Sequence, residues 1–378
     1  MANPLPPPPT IAGPRRFDLV TTLRGLAASW VVMFHIWTST NGGVTLLPRW
    51  LGQVVFKWGY LGVEIFFVLS GYVIAHSLRD KSVDGDEAKS FAAKRYLRIA
   101  PPYYVSLLAV FAVAGLKVAI DHKPFILNSE SFSVGRLIAH LFFAQQFLGI
   151  KNFEEIYWTL CYEMGFYLVM IAILWLLCRR GHRNLIGPIA AATGVASAVV
   201  TFFRPEIVHW LYLLNGWYMF AAGLVAYECA RGVCRKQWFV GLLTVIIAMA
   251  LVRYWGKSAV AAATAALLYW DYLHPAEAGA NGWLRRVIAS RPMLFLGTIS
   301  YSLYLLHAPI RTTVLQVWTR VLGKPSGLAE FLGLYATQFA ASVIGAWILW
   351  KVVERPSVAL AGKVGRRRTP RVSSSTVA

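Results

Sequence analysis

The sequence predicts an all-α polytopic transmembrane helix bundle of about ten spans, and three observations carry that expectation. The 378 residues are 57% hydrophobic and only 14% charged, with 15 Trp and a mean hydropathy of +0.53, a balance foreign to soluble domains. Ten segments are apolar and long enough to cross a bilayer. The basic residues behind the net charge of +20 sit in short clusters between those segments. That is the positive-inside pattern, and it argues against a nucleic-acid partner.

Residues 1–16 hold a proline run and lack the charge-then-apolar order of a secretory signal, so they read as a disordered cytoplasmic leader. The expected spans follow from Asp18 to Trp37, Trp58 to Leu78, Ala100 to Leu116, Ile156 to Leu177 and Leu185 to Phe203. They continue from Val208 to Tyr227, Trp238 to Tyr254, Ser258 to Leu273, Met293 to Val314 and Phe331 to Val353. An eleventh candidate, Val134 to Ile150, is shorter and contains Arg136, His140, Gln145 and Gln146, which suits a re-entrant or interfacial helix. Residues 17–356 thus form the membrane domain, and 357–378 a basic, disordered cytoplasmic tail able to touch anionic lipid headgroups.

An even span count with the N-terminus inside puts about 24 of the 37 Lys and Arg in inner loops, against about 12 outside. The expectation is a multi-pass protein of the inner (plasma) membrane with both termini cytoplasmic. Cys161, Cys178, Cys229 and Cys234 show no metal-ligand spacing and are expected to be free packing thiols. No metal is expected.

Charged groups inside the spans are expensive, which makes them functional-site candidates. Arg24 and His35 share the first span, and eleven residues on a helix rotate about three turns and rise roughly 16 Å, so both face one buried channel. Glu64 lies inside the second span, Glu163 inside the fourth, Glu228 at the inner end of the sixth and Glu354 at the end of the tenth. Arg95 and Arg98 open the third span on nearly the same helix face. Gly59, Gly62 and the Ser70-Gly71 pair suit close helix contact more than chemistry. No G-x-S-x-G elbow is present, which disfavours a serine-esterase mechanism.

Six local sequences then occur in a telling order. They are LRGLAASWVVMFH from Leu23, GYLGVEIFFVLSGYVIA from Gly59, KRYLRIAPPYY from Lys94, YWTLCYEMGFYL from Tyr157, ISYSLYLLHAPI from Ile299 and VVERP from Val352. From about Phe17 to Pro356 the chain resembles the acyltransferase 3 family, membrane-bound O-acetyltransferases of the O-antigen and exopolysaccharide acetylase type. The resemblance implies transfer of an acyl group, most simply acetyl, from cytoplasmic acyl-CoA to a hydroxyl of a cell-envelope carbohydrate or its lipid-linked precursor. His307 matches a family position on the acceptor side. The chain ends soon after Glu354, so acceptor choice is expected to rest with the membrane domain and its outer loops.

The side chains fit that chemistry. A base near neutral pKa must take the hydroxyl proton, which suits His35, and the same imidazole can instead carry the acyl group covalently. Arg24 suits a pyrophosphate oxygen or the acyl carbonyl, and Arg95 with Arg98 suits the phosphates of CoA. Glu64 and Glu163 are candidates to hold Arg24, orient His35 or meet Arg95 and Arg98. Phe132, Phe142, Phe143 and Phe147 in the largest outer loop suit interfacial anchoring by default, or stacking against a sugar or a lipid carrier. The alternative from a different class is a secondary transporter or flippase using Arg24, His35 and Glu64 as a substrate and proton relay.

Overall fold

The computed structural model describes residues 17–39, 48–122, 124–203, 213–274 and 283–365. The predicted leader and residues 366–378 of the predicted tail lie outside them. The chain runs α1 (Asp18–Ser39), α2 (Arg49–Leu51), α3 (Gly62–Ser77), α4 (Gly85–Asp121), a hairpin β1 (Ile126–Leu127) and β2 (Glu130–Ser131), and α5 (Val134–Leu141). It continues with α6 (Trp158–Arg179), α7 (Ile186–Phe203), α8 (Leu214–Ala230), α9 (Lys236–Met249), α10 (Trp255–Leu273) and α11 (Trp283–Ile288). The last elements are α12 (Arg291–Thr298), α13 (Ser300–Val321), α14 (Leu328–Leu349) and α15 (Arg355–Ala361).

The fold is an all-α polytopic bundle, and the described parts of all ten expected spans are largely helical. Length and apolarity alone single out most of these ten. Among the described residues seven helices are long and apolar enough to cross a membrane, or eight if α12 and α13, bent by 71° at their junction, make one span. α8 is 17 residues long as described, and α10 carries Lys257 and Asp271 among small and amphipathic residues. Both nonetheless belong to the bundle. α8 is buried at every residue from Gly216 to Ala230, as a helix apolar on all sides must be. α9 and α10 fold back on each other around residues 250–254, with Phe239 stacked on Tyr269 at 4.6 Å.

Close helix contact is set by glycines. A methyl group on Gly71 would lie 1.9 Å from the Phe220 carbonyl, and one on Gly223 1.9 Å from that of Val68, so α3 and α8 cross backbone to backbone. Gly59 and Gly62 approach the Trp30 and Ala27 carbonyls of α1 in the same way, as expected from the sequence. Gly297 of α12 sits against Thr21, one turn before Arg24.

α4 starts fifteen residues before the expected span. Asp84 caps it, accepting the Glu87 amide at 2.8 Å. Arg95 and Arg98 therefore sit inside a continuous 37-residue helix, just ahead of Pro101 and Pro102.

The eleventh segment is helical only from Val134 to Leu141, then turns at Phe142 and at Phe143, where φ is +55°. Arg136 and His140 are tied to the protein's own backbone. Arg136 donates to the carbonyls of Leu127 (2.9 Å), Lys151 (2.9 Å) and Asn152 (2.7 Å), and its guanidinium lies 4.6 Å from the Phe153 ring centre. His140 donates from Nδ1 to the Arg136 carbonyl at 2.8 Å and accepts the Phe153 amide on Nε2 at 2.9 Å. Burial lowers its pKa to about 4. Because the folded form favours neutral imidazole, its contribution is complete above pH 6.5 and is lost as pH falls towards 4. Hydrogen exchange of the Phe153 amide should therefore accelerate across that window, and a flat profile from pH 6.5 to 4 contradicts this role.

Two further expectations change. Cys229 and Cys234 form a disulfide, with Cα atoms 4.7 Å apart, because the turn at Gly232 (φ +77°) folds the chain back after α8. Cys161 and Cys178 are free, as expected. The segment from residue 357, expected to be disordered, begins as the end of α15, where Ser357 and Ala361 are buried.

Candidate active site

Four of the predicted residues meet in one place. Arg24 from α1, Arg95 and Arg98 from α4 and Glu163 from α6 line a narrow cavity of about 80 Å³, joined by Ser70, Tyr167, Tyr301 and Tyr304. Glu163 accepts from Ser70 Oγ at 3.2 Å and from the Tyr167 hydroxyl. Arg95 lies between the rings of Phe91 and Tyr167, 5.2 and 5.1 Å from their centres, and donates to Ser77 Oγ at 3.2 Å. These contacts fix the Arg95 fork before any substrate arrives.

The charges do not cancel. Among the described residues none of the three arginines has a carboxylate within ion-pairing distance, and the buried Nε of Arg24 has no hydrogen-bond partner. Arg24 feels Arg98, Glu354 and Glu163 only at longer range, and Glu354 is held by Ser302 Oγ at 2.6 Å. Three guanidinium groups around one carboxylate leave a cavity poised for an anion.

His35 lies elsewhere than the shared channel expected from its spacing to Arg24. It does not line the cavity; its ring centre is 5.1 Å from that of His307 on α13. Tyr304 connects the two places, because it lines the cavity and its ring lies 5.9 Å from His307. Tyr304 is pinned by Thr159 (2.9 Å) and donates to the Ile156 carbonyl (3.1 Å). His307 donates from Nδ1 to the Tyr304 carbonyl at 2.7 Å, which leaves its buried Nε2 as an unpartnered lone pair. The approach of α13 to α1 is what adds His307 to His35.

Glu64 corrects the pairing expected for it. It meets none of Arg24, Arg95 or Arg98 and lines a second cavity on the far side of Phe67. The sequence reading also missed Arg311, one turn after His307, which donates to the His35 carbonyl at 2.6 Å. An arginine inside an apolar helix was the signal available for it. Of the loop phenylalanines, Phe142 is 70% exposed, whereas Phe143 is buried and stacked on Tyr103. Among the described residues no three His, Cys, Asp or Glu side chains gather as a metal-ligand set.

Residues 19–351 match the acyltransferase domain of the acyltransferase 3 family. The chain belongs to that family. The acyltransferase is 26% identical to nodulation protein 10 of Rhizobium leguminosarum bv. viciae, over 93% of this chain and 95% of that one. It is 27% identical to the exopolysaccharide production protein ExoZ of Rhizobium meliloti, over 80% and 90% of the two chains. With the peptidoglycan O-acetyltransferase OatA of Listeria monocytogenes it shares 25% identity over 88% of this chain and 54% of that longer protein. No solved structure matches the acyltransferase. Membership makes it a multi-pass membrane enzyme of acyl transfer.

Proposed function

We propose that this acyltransferase moves an acetyl group from acetyl-CoA, on the cytoplasmic side of the inner membrane, to a hydroxyl of a cell-envelope glycan or its lipid-linked precursor. The observation that carries the reading is the cavity in which Arg24, Arg95 and Arg98 face one carboxylate, with Tyr304 leading from it to the His35–His307 pair. Arginine forks bind phosphate oxygens bidentately, and CoA brings a pyrophosphate and a ribose phosphate to that positive mouth. Both termini and the arginine end of α1 lie inside in this reading, following the bias of basic loops. The relatives that act on peptidoglycan and exopolysaccharide, by their names, support a glycan acceptor.

His35 is the base. It takes the proton of the acceptor hydroxyl as that oxygen attacks the thioester carbonyl; the new C–O bond forms, the C–S bond breaks, and CoA leaves as a thiol once the proton is passed on. His307, with Nδ1 committed to the Tyr304 carbonyl, presents Nε2 to orient His35 or the hydroxyl between them. Arg311, on the His35 carbonyl, fixes the end of α1.

Proteoliposomes holding the full chain and [14C]acetyl-CoA should label an envelope glycan fraction; no label across lipid-linked and polymeric acceptors refutes the reading. Arg95→Gln and Arg98→Gln should each raise the KM for acetyl-CoA about tenfold and leave kcat within a few-fold, as expected for lost charge-assisted bonds. Unchanged KM in both removes the phosphate assignment.

A further inference from the structure

Beyond the arginine-lined cavity the bundle holds a second, larger one of about 640 Å³. α3 and α6 form the partition. Val63, Phe66 and Ser70 of α3 face the first cavity and Glu64 the second, while Phe67 lines both; on α6, Glu163 and Tyr167 face the first and Trp158 and Tyr162 the second. Resting on the acyltransferase reading above, we infer that this second cavity is the acceptor site and that it takes a neutral, hydroxyl-rich ligand, an oligosaccharide, with Trp158 as its platform and Glu64 as its deepest hydrogen-bond acceptor.

The lining argues for that class. Trp158 and Tyr162 meet edge to face at 5.3 Å, offering flat apolar area with polar edges, the surface that the CH face of a pyranose ring stacks upon. Asn128, Gln146 and Asn152 bring amides to the lining; Asn128 Nδ2 already donates to the Asn152 carbonyl and Asn152 Oδ1 accepts from Gln145, so it is Asn128 Oδ1, Asn152 Nδ2 and the Gln146 amide that offer acceptors and donors to ring hydroxyls. The charged lining residues are two of each sign, Glu64 and Glu155 against Lys151 and Lys257, so the cavity as a whole does not select an ion. A volume of this size suits a few sugar rings, in the range of ordinary ligand sites.

Glu64 is the second, independent observation. It is 4% exposed, lies in an apolar helix, and its Oε2 has no hydrogen-bond partner. Lys257 is the cation within its electrostatic reach, and that side chain is exposed at the mouth. A buried carboxylate oxygen left open beside amides and aromatic rings has its missing partner in a ligand hydroxyl.

Two side chains lead from this cavity towards the histidine pair, neither member of which lines it. Glu155 on its rim is electrostatically coupled to Arg311, which holds the His35 carbonyl. Tyr60, coupled to Glu64, packs on Phe34 at 5.7 Å, beside His35. An oligosaccharide seated on Trp158 therefore lies across the α3–α6 partition from the arginine-lined cavity.

The test uses the full chain purified in detergent and calorimetric titration with cellotetraose, chitotetraose and maltotetraose, with tetragalacturonate as the charged comparison. At least one neutral tetrasaccharide should bind wild type in preference to tetragalacturonate. Trp158→Ala and Glu64→Gln should weaken it about tenfold or more, and Trp158→Phe less. Melting temperatures within about 3 °C of wild type mark the variants as folded. Should Trp158→Ala fail that mark, Trp158→Phe and the nearly isosteric Glu64→Gln decide. No binding by any neutral tetrasaccharide, a preference for the charged one, or wild-type affinity in the folded variants overturns the assignment. These outcomes are independent of turnover, so they separate from the failure of acetyl transfer that refutes the enzymatic reading.

Discussion

Replacing His35 with alanine is expected to lower kcat for acetyl transfer by about two to four orders of magnitude, the range that a positioned general base supplies. The KM for acetyl-CoA should stay within a few-fold of wild type, because the arginines proposed to receive its phosphates line a cavity that the imidazole does not. His307→Gln should cost less than His35→Ala, since glutamine keeps polar groups near the site, and its loss should fall on kcat. A His35→Ala enzyme with near wild-type turnover on labelled glycan would place the base elsewhere. Accumulation of labelled acetyl-protein in wild type, chased off by acceptor and absent in His35→Ala, would replace the base with a covalent imidazole.

Gly223→Ala should remove most of the folded protein. Its new methyl would sit 1.9 Å from the Val68 carbonyl, a contact no rotamer relieves, so α3 and α8 must separate along a crossing buried on both sides. Overpacking of this kind costs about 3 kcal/mol, and backbone against backbone puts it at the upper end. Gly71→Ala meets the Phe220 carbonyl at the same distance and should behave alike. Gly115→Ala and Gly241→Ala are the controls, because a methyl at either helical position meets nothing within 4 Å. They should hold or gain a few tenths of a kcal/mol from reduced chain entropy. Detergent-solubilised yield and melting temperature compare the four directly; a Gly223→Ala protein as stable as Gly241→Ala contradicts the crossing. Since α3 carries Glu64, Phe67 and Ser70, a shifted crossing disturbs both cavities at once.

Much of this was legible in the chain because it is local. Spans announce themselves by length and hydropathy, since lipid leaves no other home for twenty apolar residues. Arg24 and Glu163 stood out as charges in places where charge is expensive, whereas Arg95 and Arg98 drew their weight mainly from the family resemblance. Gly59, Gly62 and Gly71 marked close contacts because a missing side chain lets backbones meet. The ordered motifs of the family added the reaction class, which no single spacing contained.

What the sequence could not determine is which helix faces which. The spacing of Arg24 and His35 puts them on one face of α1, yet a face has different neighbours at different depths: α4 and α6 enclose Arg24, whereas α13 brings His307 to His35. Glu64 and Ser70 share α3 and line cavities on opposite sides of Phe67, a division set by where α6, α8 and α10 pack. The re-entrant or interfacial helix expected from Val134 to Ile150 is a short helix and turns, because Arg136 donates to carbonyls of the hairpin and the following loop and His140 accepts the Phe153 amide. Hydropathy records the cost of placing each residue in lipid; the partner that offsets the cost is chosen by packing between segments distant in sequence, and only the tertiary structure decides it.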